Sequence, residues 1–354
     1  MRKGITINIL LLALTILLIA TNLLIGSVEI PAGQVLRAIA GMEVEQESWA
    51  YIVMESRLPQ ALTAMLCGAS LATAGLLLQT SFRNPLAGPS ILGITNGASL
   101  GVALVMLLFG GVITIGGMDG EGGPEGAYIG GLLAVTTGAF LGAMAVIMLL
   151  LALSRMVGSN LMLLIIGIMV SYLTSSAVSL LNFFAAPDNV YNYVLWGMGS
   201  FSDVSLRQLP WFAAVSLSGM CLAVLLIKPL NALLLGDNYA QNLGINIRRT
   251  HQLLLLTTGI LTAVSTAYCG PVAFIGLAVP HIARLLTGTA SHAVLLPATI
   301  LCGAGIALLC NVISILPGST IIPINAVTPI FGAPVILYII VRRTAVTSSA
   351  PYPS

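Results

Sequence analysis

One apolar stretch of about twenty residues follows another along this chain, and charge is almost confined to the breaks between them. Roughly 20 apolar residues is the length a helix needs to cross a bilayer core. In lipid a spanning segment must satisfy its own backbone polar groups, which a helix does internally. Of the 354 residues, 58% are apolar and 7% are charged, whereas soluble domains carry about 25% charge. An ordinary water-facing surface cannot be built from this chain. The reading is an all-α integral membrane protein, one polytopic transmembrane domain over residues 1–354.

Apolar runs bounded by charge, Gly or Pro fall near 5–26, 60–80, 91–111, 128–153, 160–184, 209–228, 252–269, 272–287, 293–316 and 328–341. They predict ten transmembrane helices, with the eighth and tenth short and proline-broken. The first run follows Arg2 and Lys3 but is long for a signal peptide, with no small-residue cleavage site after it, so it counts as a span. With the N-terminus inside, the inner segments hold Arg2, Lys3, Arg83, Arg155, Lys228, Arg248, Arg249, Arg284, Arg342 and Arg343. The outer segments hold Arg37, Arg57 and Arg207, and of the acids Asp237 alone falls inside. This is the positive-inside asymmetry, and an even number of spans preserves it. Both termini are therefore expected in the cytoplasm.

Small residues mark helix-packing faces. Gly93, Gly97 and Gly101 recur at four-residue spacing, as do Gly138 and Gly142, and Gly68, Ala72, Gly75 and Gln79 share a stripe. Such stripes let backbones approach where no hydrophobic force drives helices together. The five cysteines lie in apolar runs with no CxxC or Cys/His cluster, and so read as packing residues. Outside, residues 27–56 allow a short surface helix over Pro31–Ala40 followed by Glu43, Glu45 and Glu47, and 116–126 is glycine-rich. Both segments read equally as solvated loops or as a docking surface.

Several function classes are disfavoured. There is no phosphate-binding G-x-x-x-x-G-K-[ST] loop and no H-E-x-x-H, and the three histidines are far apart in sequence. No acidic residue falls at mid-membrane, where an ion-coupled carrier usually keeps one. An intramembrane enzyme would need a nucleophile–base or metal pair, and none is found. A secondary carrier is retained as the rival from another class.

Polar, proline-rich turns punctuate the spans instead. RLPQALTAMLCGASLATAGLLLQTSFRNPLAGPSILGITNGASLG, W-x-M-G-S at Trp196–Ser200, LGDNYAQNLGINIRRT, GPVAFIGLAVPHIARLL and PINAVTPIFGAPVILYII occur in that order. From Arg57 to Val341 the chain resembles the FecCD/BtuC type of permease subunit of type II ABC importers, which move iron–siderophore complexes, haem and cobalamin across the bacterial inner membrane. The resemblance implies a non-catalytic transport subunit that works as a homodimer. Its expected partners are two ATP-binding cassette subunits and an extracytoplasmic substrate-binding protein, in the lipid of the inner membrane and without nucleic acid. No cofactor is expected on this chain, with ATP and Mg on the partner ATPase. An iron chelate, siderophore or haem, is the first expectation for cargo, and cobalamin the alternative.

The polar stretch Leu233–Thr250 is the widest inner interruption of the apolar pattern. From its residues, Asp237 reads as a helix N-cap, Gly244 as a stop and Asn246 as the start of a second turn, with Leu235, Tyr239 and Leu243 on one face. A plain arginine-anchored loop is the other reading of these residues. The resemblance makes the stretch a pair of coupling helices for the ATPase, carried by Leu235, Gly236, Asp237, Tyr239, Ala240, Leu243, Gly244, Asn246 and Arg248. It further implies cytoplasmic gates at Asn84 and Leu86 and at Ser159 and Asn160, and docking of the binding protein at Arg57. The chain departs from the family pattern at Gln60, where a second arginine is frequent, at Asn311, where an aspartate is frequent, and in an uncharged outer segment from Pro317 to Pro334. Docking would then rest on fewer ion pairs, or on Arg37 or Arg207.

Overall fold

The computed structural model describes residues 2–108, 124–154, 156–157, 160–317 and 320–348, and among them all regular structure is helical. The helices are α1 (Arg2–Leu24), α2 (Ala32–Ile39), α3 (Glu47–Tyr51), α4 (Leu58–Ser81), α5 (Ile94–Ala103), α6 (Pro124–Ser154), α7 (Asn160–Phe184) and α8 (Pro187–Gly197). They continue with α9 (Leu209–Leu225), α10 (Ile227–Leu233), α11 (Asp237–Asn242), α12 (Ile247–Cys269), α13 (Ile275–Thr287), α14 (His292–Ile315) and α15 (Ile324–Ser348). A π-helical turn, Ile52–Arg57, joins α3 to α4, and another, Leu104–Leu108, extends α5.

Among the described residues six helices are long and apolar enough to cross a membrane, and α9 with α10, bent by 52°, makes a seventh if the pair is counted as one span. Ile94–Leu108, Ile275–Thr287 and Ile324–Tyr338 are shorter apolar helices. In chain order these elements coincide with the ten apolar runs. A 13-residue helix is only about 20 Å long, against a core of about 30 Å, so α13 does not span by itself. The runs also shift at their edges. The second extends outward into a continuous helical segment over Glu47–Ser81. The seventh begins at Ile247, because Asn246 accepts a bond from the Arg249 N–H and caps the helix there. The tenth, expected to be broken by proline, continues through Pro329 and Pro334. Of the glycine-rich 116–126 segment, residues 116–123 lie outside the described residues.

The bundle is organised around α4, which is buried along almost its whole length. One core cluster joins α4 to α9, α12, α13 and α14; a second joins α5, α6 and α7 to the other side of α12. The surface helix expected over 31–40 is α2, whose Val35 and Ala38 pack with Leu23 and Val53 over the outer end of α1. The glycine stripes meet each other directly. Gly68 faces Gly303, Gly75 faces Gly276, Gly97 faces Gly142 and Gly101 faces Gly138, and a methyl at Gly68, Gly75, Gly101 or Gly142 would fall under 3.0 Å from the opposing carbonyl. No side chain fits in these seams.

Gly75→Ala is therefore expected to destabilise the purified protein. The added methyl forces α4 and α13 apart, an overpacking cost of about 1–3 kcal/mol that exceeds the helix-propensity gain of about 1 kcal/mol. Gly33→Ala, where the methyl meets nothing within 4 Å, is the control. Thermal unfolding in detergent should show a lower midpoint for the first and not for the second.

Candidate functional site

At the end of the bundle that the charge pattern assigns to the cytoplasm, α4 stops and the chain makes a tight turn. Asn84 builds it: its Oδ1 accepts from the Leu86 N–H at 2.9 Å and its carbonyl from the Ala87 N–H at 3.1 Å. Pro85 keeps Asn84 out of the helix, and Arg83 adopts φ +47°, a left-handed conformation uncommon outside glycine. The two residues expected as the first gate thus share one turn, with Leu86 exposed and the Asn84 carboxamide supporting its backbone.

Polar side chains from three helices converge on this end of α4. The Arg284 Nη1 donates to Gln79 Oε1 at 3.0 Å, and Gln79 Nε2 donates to the Leu277 carbonyl at 3.0 Å. Thr80 Oγ1 pairs with His292 Nε2 at 2.9 Å and Ser81 Oγ with His251 Nδ1 at 2.7 Å. The Pro85 carbonyl lies 2.7 Å from His281 Nε2, and since a carbonyl only accepts, that nitrogen carries the proton. Residues 79–85 are in this way tied to α12, α13 and α14 by all three histidines. Leu277, His281 and Arg284 lie in the quoted GPVAFIGLAVPHIARLL stretch, but none of the five was read from the sequence as a partner of the gate turn, and His251 and His292 lie outside that stretch.

The coupling stretch folds as a six-residue helix between two glycines. Gly236 (φ +110°) precedes α11 and Gly244 (φ +81°) ends it, with the Ile245 N–H returning to the Ala240 carbonyl. The expected stop at Gly244 is present. Asp237 is the first residue of α11 rather than its cap, and its carboxylate pairs with the Arg83 guanidinium. Asn246 starts the long α12 instead of a second short helix. Ala240 is fully buried, whereas Leu235, Tyr239 and Leu243 are 64%, 52% and 58% exposed. The face that these three residues share is an exposed apolar edge of the loop.

A cavity of about 980 Å³ lies between the coupling stretch and the end of α4: Asp237, Asn246, Arg248 and His251 line it with Ser81, Phe82, Met156, Val157 and Leu163. Of the second expected gate, Ser159 lies outside the described residues, and Asn160 is placed only as the start of α7.

The expected docking cation Arg57 is internal. It is 5% exposed, its Nη1 donates to the Leu23 and Leu24 carbonyls at 2.9 and 3.0 Å, and its Nη2 donates to the Val28 carbonyl. It caps the end of α1, whose last carbonyls have no helical partner. Beneath it, Gln60 Nε2 donates to Asn311 Oδ1 at 3.1 Å, and Asn311 Nδ2 donates to Asn22 Oδ1 at 2.7 Å. The two departures from the family pattern are thus bonded to each other. A neutral amide pair stands where an arginine and an aspartate are frequent, and both are buried. Arg37 and Arg207 are exposed.

The remaining quoted motifs meet at one junction. Asn325 Oδ1 accepts from the Ala273 N–H at 3.0 Å, and its Nδ2 donates to the Gly197 carbonyl at 3.2 Å and to that of Pro271. The Ser200 N–H reaches the Cys269 carbonyl at 3.0 Å. The FecCD transport family matches over residues 13–342. The chain belongs to that family. It is 34% identical to the vitamin B12 import system permease protein BtuC of Klebsiella pneumoniae, over 94% of this chain and 93% of that one. It is 35% identical to the ferric enterobactin transport system permease protein FepD of Escherichia coli, over 94% of each. The hemin transport system permease protein HmuU of Yersinia pestis is 34% identical over 83% of this chain and 84% of its own. A solved structure described as an inward-facing conformation of a metal-chelate type ABC transporter superposes with TM-score 0.81 at 29% identity, over 95% of this chain and 99% of that one. Like other members of the FecCD family, this chain is a multi-pass membrane transport component.

Arg57→Met is expected to act on stability. It leaves the α1 carbonyls without their charged donor, at a cost of about 1–3 kcal/mol, so the unfolding midpoint in detergent should fall. A purely docking arginine would leave that midpoint unchanged.

Proposed function

We propose that this chain is the membrane-spanning subunit of an ATP-driven importer that carries an iron chelate inward across a bacterial inner membrane. The observation that carries the reading is the coupling stretch. Leu235, Tyr239 and Leu243 stand exposed on a loop that holds positive-φ glycines at 236 and 244, and that loop shares a cavity with Ser81 and Phe82, just before the gate turn. An apolar edge beside a polar loop fits a protein partner better than water. A chain with no phosphate-binding loop of its own needs that partner to supply the energy of transport.

In this reading two copies of the chain enclose the pathway, and each holds one ATP-binding cassette subunit through residues 235–248. ATP and Mg are bound by that subunit, and no cofactor resides on this chain. A substrate-binding protein delivers cargo to the opposite face, where Arg37 and Arg207 are the exposed cations. Both termini lie in the cytoplasm. ATP shifts the transporter only as far as it binds one arrangement better than the other, and α11 is the element through which that preference reaches the membrane helices. Cobalamin is the alternative cargo, and the likeness to a vitamin B12 permease favours keeping it.

The test is co-purification from native membranes. The parent should bring down a P-loop ATPase, identified by mass spectrometry. Leu243→Glu and a variant with residues 236–244 replaced by a flexible linker should each lose it while retaining the parent's oligomeric state. A parent that purifies without any ATPase would sink the proposal in favour of an ion-coupled carrier.

A further inference from the structure

The gate turn is held from two directions, and the two kinds of bond differ. Gln79, Thr80, Ser81 and Pro85 are tied to Arg284, His292, His251 and His281, all on the long helices α12–α14. Arg83 points the other way. Its backbone takes the left-handed conformation at φ +47°, and its guanidinium meets Asp237, the first residue of α11. This pair joins 79–86 to α11 by a hydrogen bond. It leaves from the residue immediately before Asn84, whose carboxamide supports Leu86. At its far end, Asp237 follows Gly236, whose φ of +110° is a conformation that favours glycine, so the chain turns sharply into α11 there.

From this juxtaposition we propose that Arg83 is a positioning residue that transmits the displacement of α11 to the Asn84–Leu86 turn. The inference rests on the importer reading and adds to it the connection between lever and gate. The pair is half exposed, with side chains 49% and 42% accessible. Exposed pairs contribute little to folding stability, so this one is suited to being broken and remade during a cycle. The bonds to α12–α14 hold the end of α4 to the bundle, and Arg83 links the turn beyond it to the loop that grips the partner. When α11 moves, the pull arrives at residue 83, one residue from the side chain that shapes the turn.

The experiment uses the complete complex, chain, ATPase and binding protein, in proteoliposomes, comparing the parent with Arg83→Gln, Asp237→Asn and the exchange Arg83→Asp with Asp237→Arg. Ferric-chelate uptake and ATP hydrolysis are measured on the same preparation. Arg83→Gln should keep its ATPase and its basal hydrolysis while uptake per ATP falls about tenfold, the scale of a lost coupling link. The exchange should recover most of that loss. A purely structural pair would reduce the amount of assembled complex instead and leave uptake per ATP intact. Parental uptake per ATP in Arg83→Gln would overturn the link, as would an exchange no better than the single variants. A parent complex whose uptake is independent of ATP would overturn the importer reading itself, which is a separate result from either of these.

Discussion

Helices surrounded by lipid gain nothing by burying apolar surface against one another, so this bundle depends on backbones that touch. At Gly68/Gly303, Gly75/Gly276, Gly97/Gly142 and Gly101/Gly138 the helices approach until no methyl group fits. Dispersion and close backbone contact replace the missing hydrophobic force there. These seams fasten α4 to α13 and α14 and fasten α5 to α6. Because α12 lies between the two groups, it belongs to both cores.

The two ends are finished differently. At the end that the charge pattern assigns to the outside, Arg57 closes α1, and the Asn22–Asn311–Gln60 chain ties α1, α4 and α14 into one block. Asn325 stitches the segments after α8, α12 and α14 together. These bonds run from frame to frame. On the inner side the histidines also bond to the frame, but Arg83 reaches a six-residue helix bounded by positive-φ glycines. One end of the bundle is thus bonded helix to helix, and the other carries a short helix between positive-φ glycines.

Much of this was legible in one sequence because membrane physics is local. Apolar runs located the elements, glycine spacing located the α5–α6 seam and the α4 side of the others though not Gly276 or Gly303, and Gly244 marked the end of α11. Non-local roles were not legible. An outer arginine at position 57 reads the same whether it meets a partner or caps a helix that ended some thirty residues earlier, and only the fold chooses. Gln60 and Asn311 looked like two separate losses until the structure placed them in one hydrogen bond. Histidines 251, 281 and 292 formed no motif because they come from three helices that meet only around the end of α4. Asp237 looked like a cap because caps are usually acidic or hydroxylic, but Gly236 takes that position and frees the carboxylate for Arg83. The bend at Leu226 comes from Pro229, which has no N–H to give the Leu225 carbonyl; the sixth apolar run, ended at residue 228, stopped one residue short of it.

The account stands on a fixed frame against which α11 and the gate turn move together. Spin labels at Leu86 and Asn242, with a third position at Ile5 on α1 as the frame, measure this directly by pulsed electron-spin resonance in a complex labelled on one protomer. ATP binding should change both distances to Ile5 while the distance between Leu86 and Asn242 stays constant. If Asn242 moves and Leu86 stays in place relative to Ile5, lever and gate are not connected as described, and the account is contradicted.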